Sequence, residues 1–135
     1  MSFRELGRIA ASAMQAQTLR LNTIASNLAN ADSAASSEAS AYRARRPVFA
    51  AAFDGPGSAR VAVREVRQSD APVRRVSQPG HPLADANGDV FYPNVDPLDE
   101  VTDMMSAAHA YTLGVDLLAR GTNMQQALLR LGRGD

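Results

Sequence analysis

The two ends of this chain carry the same apolar spacing, and the residues between them do not. Between Leu6 and Ala31 one series runs Gly7, Met14, Leu21, Leu28, and a second follows three residues behind it at Ala10, Gln17, Ile24, Ala31. Between Val101 and Leu131 the series is Val101, Ala108, Val115, Thr122, Leu129, interleaved with Met104, Tyr111, Leu118, Gln125. Two apolar positions in every seven are what a helix needs to lie lengthwise on a partner, because two turns return almost to the same face. With one such helix at each terminus, the chain leaves as one helix and returns as another. Such a fold offers a long seam and little room for a pocket, which argues for assembly over catalysis.

The spacing predicts a first helix from Arg4 to Asn30, about 40 Å long at 1.5 Å per residue. Its stripe is thin, and Ala10, Ala11, Ala13, Ala16, Ala25 and Ala29 run through it. Alanine favours helix and lets neighbours approach closely, but it buries little area at about 25 cal/mol per Å². Such a helix is marginal alone, so the terminal helices are expected to order on assembly. Asn22, Asn27 and Asn30 interrupt it; they either fix register inside a seam or face water. The second helix starts at Asp96 as N-cap with Pro97 in the first position. Asp99, Glu100 and Asp103 favour its positive end, Arg130 and Arg133 its negative end, and Gly132 and Gly134 its stop, over about 50 Å.

The middle is different. Asp32 to Ala41 is small, polar and low in complexity, and reads as a loop. Tyr42 to Phe53 and Arg60 to Val66 have strand-like content broken by Pro47, Pro56, Pro72, Pro79 and Pro82. Asn87-Gly88 is a hairpin dipeptide ahead of the strand-like Asp89 to Tyr92. The fold class is therefore mainly α with a small, partly irregular β appendage, the long terminal helices pairing as a coiled coil. The expected division is residues 1–33 as the first axial helix, 34–93 as loop and β appendage, and 94–135 as the second axial helix, packed on the first.

Composition closes several routes. The formal net charge is zero, so no global field draws the chain to nucleic acid or membrane. There is no cysteine, which excludes disulfides, thiolate metal sites and a cysteine nucleophile. Charges at Arg4, Glu5, Arg8 and Arg20 leave no apolar stretch for a cleaved secretory signal, and by composition alone the expectation is a cytosolic protein. The charge is nonetheless segregated: residues 43–75 hold eight arginines against three acids, and residues 85–116 hold seven acids and no arginine. Such blocks suit head-to-tail contact between copies, or form two solvated faces of opposite sign.

No constellation of catalytic residues emerges. His81 lies in a Pro-Gly-His-Pro turn and His109 on the second helix, with no serine or carboxylate at a recognisable spacing. Asp85 to Asp89 has a calcium-loop flavour, but Gly88 stands fourth rather than sixth and position twelve is Asp96. Asp99 and Glu100 read as helix-start residues, and no glycine-rich phosphate loop occurs. Arg43, Arg45 and Arg46 beside Tyr42 and Phe49 are a weak nucleic-acid signal that net neutrality opposes.

Three stretches carry a resemblance. Arg20 to Asp32 contains Ser-Asn-Leu-Ala-Asn and resembles the N-terminal signature of bacterial flagellar axial proteins, the rod and hook family. Tyr42-Arg-Ala-Arg-Arg-Pro-Val-Phe49 and the core from Gly88 to Val95, with Tyr92, Pro93, Asn94 and Val95, are similar to its proximal-rod members. Residues 50–79 carry no recognised motif, and Glu100-Val101-Thr102 departs from the family's Glu-Met-Val. The resemblance implies a structural subunit with no enzymatic activity, cofactor, metal or small-molecule substrate. It implies an inner layer of paired helices in a tubular drive shaft, with the β appendage outside. It implies export through the flagellar apparatus without a cleaved signal peptide, to the basal-body rod in the periplasm. Partners would be further copies, other rod subunits, and the export-gate and membrane-ring components. The expected assembly interface is Met14, Leu21, Ile24, Asn27, Leu28 and Asn30 with Val101, Met104, Ala108, Tyr111, Val115, Leu118 and Leu129. The competing readings are a nucleic-acid-binding or regulatory coiled coil built on Arg43 to Arg75, and a sister flagellar axial subunit.

Overall fold

The computed structural model describes residues 2–134. In chain order it contains α1 (Phe3–Asn30), β1 (Arg45–Gly55), β2 (Ser58–Gln68), β3 (Arg74–Ser77), β4 (Asp89–Tyr92) and α2 (Pro97–Gly132). Both helices open on the caps their sequences supply. Ser2 accepts from the Glu5 amide at 3.2 Å while Glu5 accepts from the Ser2 amide, a reciprocal box that satisfies two otherwise orphaned donors. Asp96 accepts from the Leu98 amide at 2.9 Å, and Pro97, which has no amide hydrogen, occupies the first turn where none is needed.

The two helices run antiparallel along each other. Phe3 meets Gly121, Gly7 meets Leu118, Met14 meets Gly114, Arg20 pairs with Asp103, and Asn27 reaches Glu100. α1 has 28 residues and α2 has 36, so α2 outruns its partner. Beyond Gly121, about three further turns project past the start of α1.

β1 and β2 form an antiparallel hairpin of 11 residues per strand. Its turn needs glycine, since Gly57 has φ 78°. Bulges at Val48/Phe49 and Phe53/Gly55 coil the ribbon, and it lies on α1, where Ser12 Oγ accepts from the Val61 amide at 2.9 Å. β3 and β4 make a second, separate pair, and Ala35 adds to the outer edge of β4 through two backbone bonds with Phe91, at 2.8 and 3.0 Å. Gly88, φ 79°, turns the chain into β4, but Asn87 has no positive φ and residues 78–88 separate β3 from β4, so the Asn87-Gly88 dipeptide closes a loop rather than the tight hairpin expected from sequence. Two further sequence expectations shift. The first strand begins at Arg45 rather than Tyr42, because the Ala44 amide is taken by Asn94 although its carbonyl still accepts from the Ser69 amide, and β3 is not legible between Pro72 and Pro79. The buried apolar residues are few and mostly small: Ala10, Ala16, Ile24, Ala31, Ala41, Ala44, Val90 and Ala107.

Candidate assembly interface

On α1 the residues that meet α2 include Phe3, Gly7, Met14 and Asn27, within the predicted heptad phase or one residue of it. On α2 the inward face reads Glu100, Met104, Ala107, Tyr111, Gly114, Leu118 and Gly121, alternating in steps of four and three. Glycines bring the backbones together here. A Cβ on Gly114 would stand 2.6 Å from Met14 Cγ, and one on Gly121 would collide with the Phe3 ring. Phe3 and Met14 fill the space that the glycines opposite leave open.

At the other end the seam turns polar. Asn27 is fully buried and uses its whole hydrogen-bonding capacity. Its Nδ2 donates to Arg45 O at 2.9 Å and to Glu100 Oε2 at 3.1 Å, and its Oδ1 accepts from the Tyr42 hydroxyl and the Arg45 amide, both at 2.9 Å. Glu100 is 1% exposed, so its charge must be met inside the protein. Arg46 meets it at 3.2 Å and reaches Asp103 at 3.5 Å, while Arg20 pairs with Asp103 from α1. One connected network thus joins α1, the start of β1 and the first turns of α2. Asn94 completes it from the far side: its Oδ1 accepts from the Ala44 amide and its Nδ2 donates to Ala71 O, each at 2.8 Å. Residues 44 and 45 are therefore gripped by two asparagines, Asn27 from the Ser-Asn-Leu-Ala-Asn motif and Asn94 from the Tyr-Pro-Asn-Val motif. Tyr92 donates to Gln78 at 2.9 Å under the Arg74 guanidinium, 5.0 Å from its ring, Pro93 is buried and Val95 is half-buried.

The predicted interface residues separate into two groups. Ile24 and Asn27 are buried, and Met14, Leu21, Leu28, Met104 and Leu118 are half-buried. Asn30 is half-buried but bonds its own helix, donating to Ser26 O at 2.8 Å, and Asn22 is exposed. Tyr111 sits at the seam's margin beside Met14 and Leu118. Val101, Ala108, Val115 and Leu129 point away from α1 into solvent. The α2 phase is thus offset by one residue on one of its two series: Glu100, Ala107, Gly114 and Gly121, themselves spaced by seven, take the place of Val101, Ala108, Val115 and Thr122. A search for bulky apolar residues passes over glycine, alanine and a glutamate.

The charge blocks meet inside the chain, at Arg46 with Glu100 and Asp103, and at Arg75 with Asp89. That hydrogen-bonded Asp89 holds the Arg75 guanidinium above its usual pKa. Arg43 is tied to Glu38 and to two backbone carbonyls, Arg60 to Asp54 and Arg67 to Glu65. The basic stretch is largely neutralised by its own neighbours and is a poor surface for phosphate. Glu100, read from sequence as a helix-start residue, is instead the buried centre of the junction. His109 is exposed, and His81 Nδ1 accepts from the Leu83 amide at 3.1 Å. Among the described residues no group of side chains is arranged to hold a metal ion, and no helix is long and apolar enough to cross a membrane.

Both helical ends match models of flagellar rod proteins. Residues 8–34 match the flagella basal body rod protein family, and residues 90–131 match the C-terminal model of the flagellar basal body rod FlgEFG proteins. All of the seam described above except Phe3 and Gly7 therefore lies in two segments that match flagellar basal-body rod proteins. Full-length similarity narrows the class. The chain is 42% identical over 134 residues to the flagellar basal-body rod protein FlgC of Salmonella typhimurium, covering 98% of this chain and 100% of that one. It is 39% identical over 105 residues to FlgC of Aquifex aeolicus, covering 76% and 77%, and 32% identical over 135 residues to FlgC of Buchnera aphidicola, covering 98% and 99%. The chain belongs to the FlgC family of flagellar basal-body rod proteins.

Proposed function

We propose that this chain is a non-enzymatic structural subunit of the proximal part of the flagellar rod. Its paired helices, 1–33 with 94–135, act as one coiled-coil domain packed into the wall of a tubular shaft, and residues 34–93 form an appendage on the outer side. The observation that carries this reading is the geometry of α2. Its inner face is closed on α1 by the buried Asn27–Glu100 junction, whereas its outer face keeps Leu98 at 74%, Met105 at 70% and Leu131 at 77% exposure. A register-locked helix pair with a long uncovered apolar side transmits torque only when neighbours cover that side. The resemblance to axial proteins supports neighbours that include other rod subunits and the membrane-ring and export-gate components, and a periplasmic location reached without a cleaved signal. Because the seam closes within one chain, ordering on assembly is kept for the overhanging end of α2.

The test uses exposed positions, so that assembly is separated from folding. Leu128→Asp with Leu131→Asp should leave the melting of the purified chain unchanged while abolishing swimming and removing the chain from purified basal bodies. Normal swimming with the variant chain in basal bodies would overturn the reading.

A further inference from the structure

The loop between β3 and β4 carries a chemistry that the rod reading leaves unused. An asparagine followed by glycine can lose its side-chain amide in water. The Gly88 nitrogen gives up its proton, attacks Asn87 Cγ and closes a five-membered succinimide ring; ammonia leaves, taking a proton from solvent. Water then opens the ring at either carbonyl and leaves aspartate or isoaspartate at position 87, so asparagine and water become an acid and ammonia. Glycine matters because it has no Cβ to shield the attacking nitrogen or restrict its approach. Of the six asparagines, Asn87 alone precedes glycine; the others precede threonine, leucine, alanine, valine and methionine.

The Asn87 side chain is exposed, so burial does not keep water from it. What differs from a free peptide is the backbone, which Asp85 holds at three points. Its carbonyl accepts from the Gly88 amide at 3.0 Å, and its Oδ1 accepts from the Asn87 and Asp89 amides, both at 2.9 Å. The Gly88 carbonyl is held as well, accepting from the Gln78 amide at 2.8 Å. Pro79 packs on the other side, 3.2 Å from where a Gly88 Cβ would stand. Ring closure requires the Gly88 nitrogen to lose the proton that Asp85 accepts and to swing toward the Asn87 side chain, and both moves break the turn. The Asp85 carboxylate also stands beside a nitrogen that must turn negative to attack, and like charge disfavours that.

We propose that Asn87 is a spontaneous deamidation site which the folded loop holds shut, with Asp85 as the guarding residue. Each net hydrogen bond is worth roughly a factor of five, so breaking two of those that fix the turn slows the reaction at least about tenfold in the folded chain. The products differ in consequence. Aspartate at position 87 adds a third acid beside Asp85 and Asp89, whereas isoaspartate lengthens the main chain ahead of Gly88 and pulls its carbonyl off Gln78, loosening the loop from β4. The proposal is independent of the rod reading.

The purified full chain is held in mildly alkaline buffer, native or in guanidinium chloride, and digested at intervals for mass spectrometry. A gain of one mass unit, split into two products on chromatography, marks residue 87, with the peptides holding Asn94 and Asn123 as internal standards. Asn87 should convert first in denaturant, and at least about tenfold more slowly in the native chain. Asp85→Ala, its melting checked, should bring the native rate close to the denatured one. Equal rates at Asn87 with and without denaturant would overturn the guard, and no conversion in denaturant would overturn the site. An Asp85→Ala chain that melts like the parent yet still converts slowly also overturns it. Should that variant fail to fold, exchange of the Gly88 amide in the unaltered native chain decides: protection supports the closed turn, and free exchange alongside slow conversion contradicts it.

Discussion

The two ends of the α1–α2 seam hold together by opposite means. At the base, Asn27 and Glu100 are buried polar groups whose partners come from three separate segments. At the tip, Phe3 and Met14 sit in notches left by Gly121 and Gly114, and among the described residues no polar bond crosses. Polar geometry tolerates a single register, because slipping either helix by one turn leaves a buried charge unpaired. Glycine notches permit close approach and discriminate register less sharply. The comparison teaches that this subunit fixes its alignment at the base and uses the tip for proximity, leaving the overhang free for neighbours.

The largest break should come from the base. Asn27→Ala leaves Glu100 Oε2, the Arg45 amide and carbonyl, and Tyr42 each short of a partner, at about 1–3 kcal/mol for every group that water cannot reach. We expect a loss of about 3–4 kcal/mol, measured as a lower urea midpoint with unchanged slope. A loss below that of the tip variant would reverse the comparison. Gly121→Leu at the tip should cost about 1–3 kcal/mol through overpacking against Phe3. Its signature in hydrogen exchange should be local, confined to the first turns of α1 and the facing turns of α2. Ser2→Ala removes the N-cap and should cost about 1 kcal/mol, read as faster exchange of the Glu5 amide.

The smallest effect is that of pH on the same cap. Hydrogen bonding from the Ser2 backbone holds the Glu5 carboxyl below its usual pKa of 4.5. A lowered folded-state pKa means the contribution is fully present above the unfolded value and disappears as pH falls through the folded one. Fraying of the first turn should therefore increase below about pH 4.5, while the base junction reports no change from this group. Glu5→Gln should flatten that dependence; an unaltered pH profile would assign the fraying elsewhere.

Much of this architecture was legible from sequence where local chemistry decides. The caps at Asp96-Pro97, the Asn87-Gly88 turn and the spacing of α1 are consequences of a few neighbouring residues. What sequence patterning left open was tertiary. Asn27 could have faced water; only the folded position of Arg45, Tyr42 and Glu100 makes it a hub. The true α2 phase was hidden because its inward series is glycine, alanine and glutamate, while the more conspicuous valines and leucines face outward. β3 was missed because four residues between prolines pair only with a distant strand. The Tyr-Pro-Asn-Val motif was recognisable as a signature, but its work, the grip of Asn94 on residues 44 and 71, depends on contacts far away in the chain.

The most direct measurement is amide exchange on the purified chain compared with the same chain in isolated rods. With the seam closed inside the subunit and the outer side of α2 reserved for neighbours, Phe3–Asn30 should be protected in both states. Residues 122–132 should exchange freely in the isolated chain and become protected in the rod. Equal protection of 122–132 in the two states, or an unprotected α1 in the isolated chain, would contradict this account.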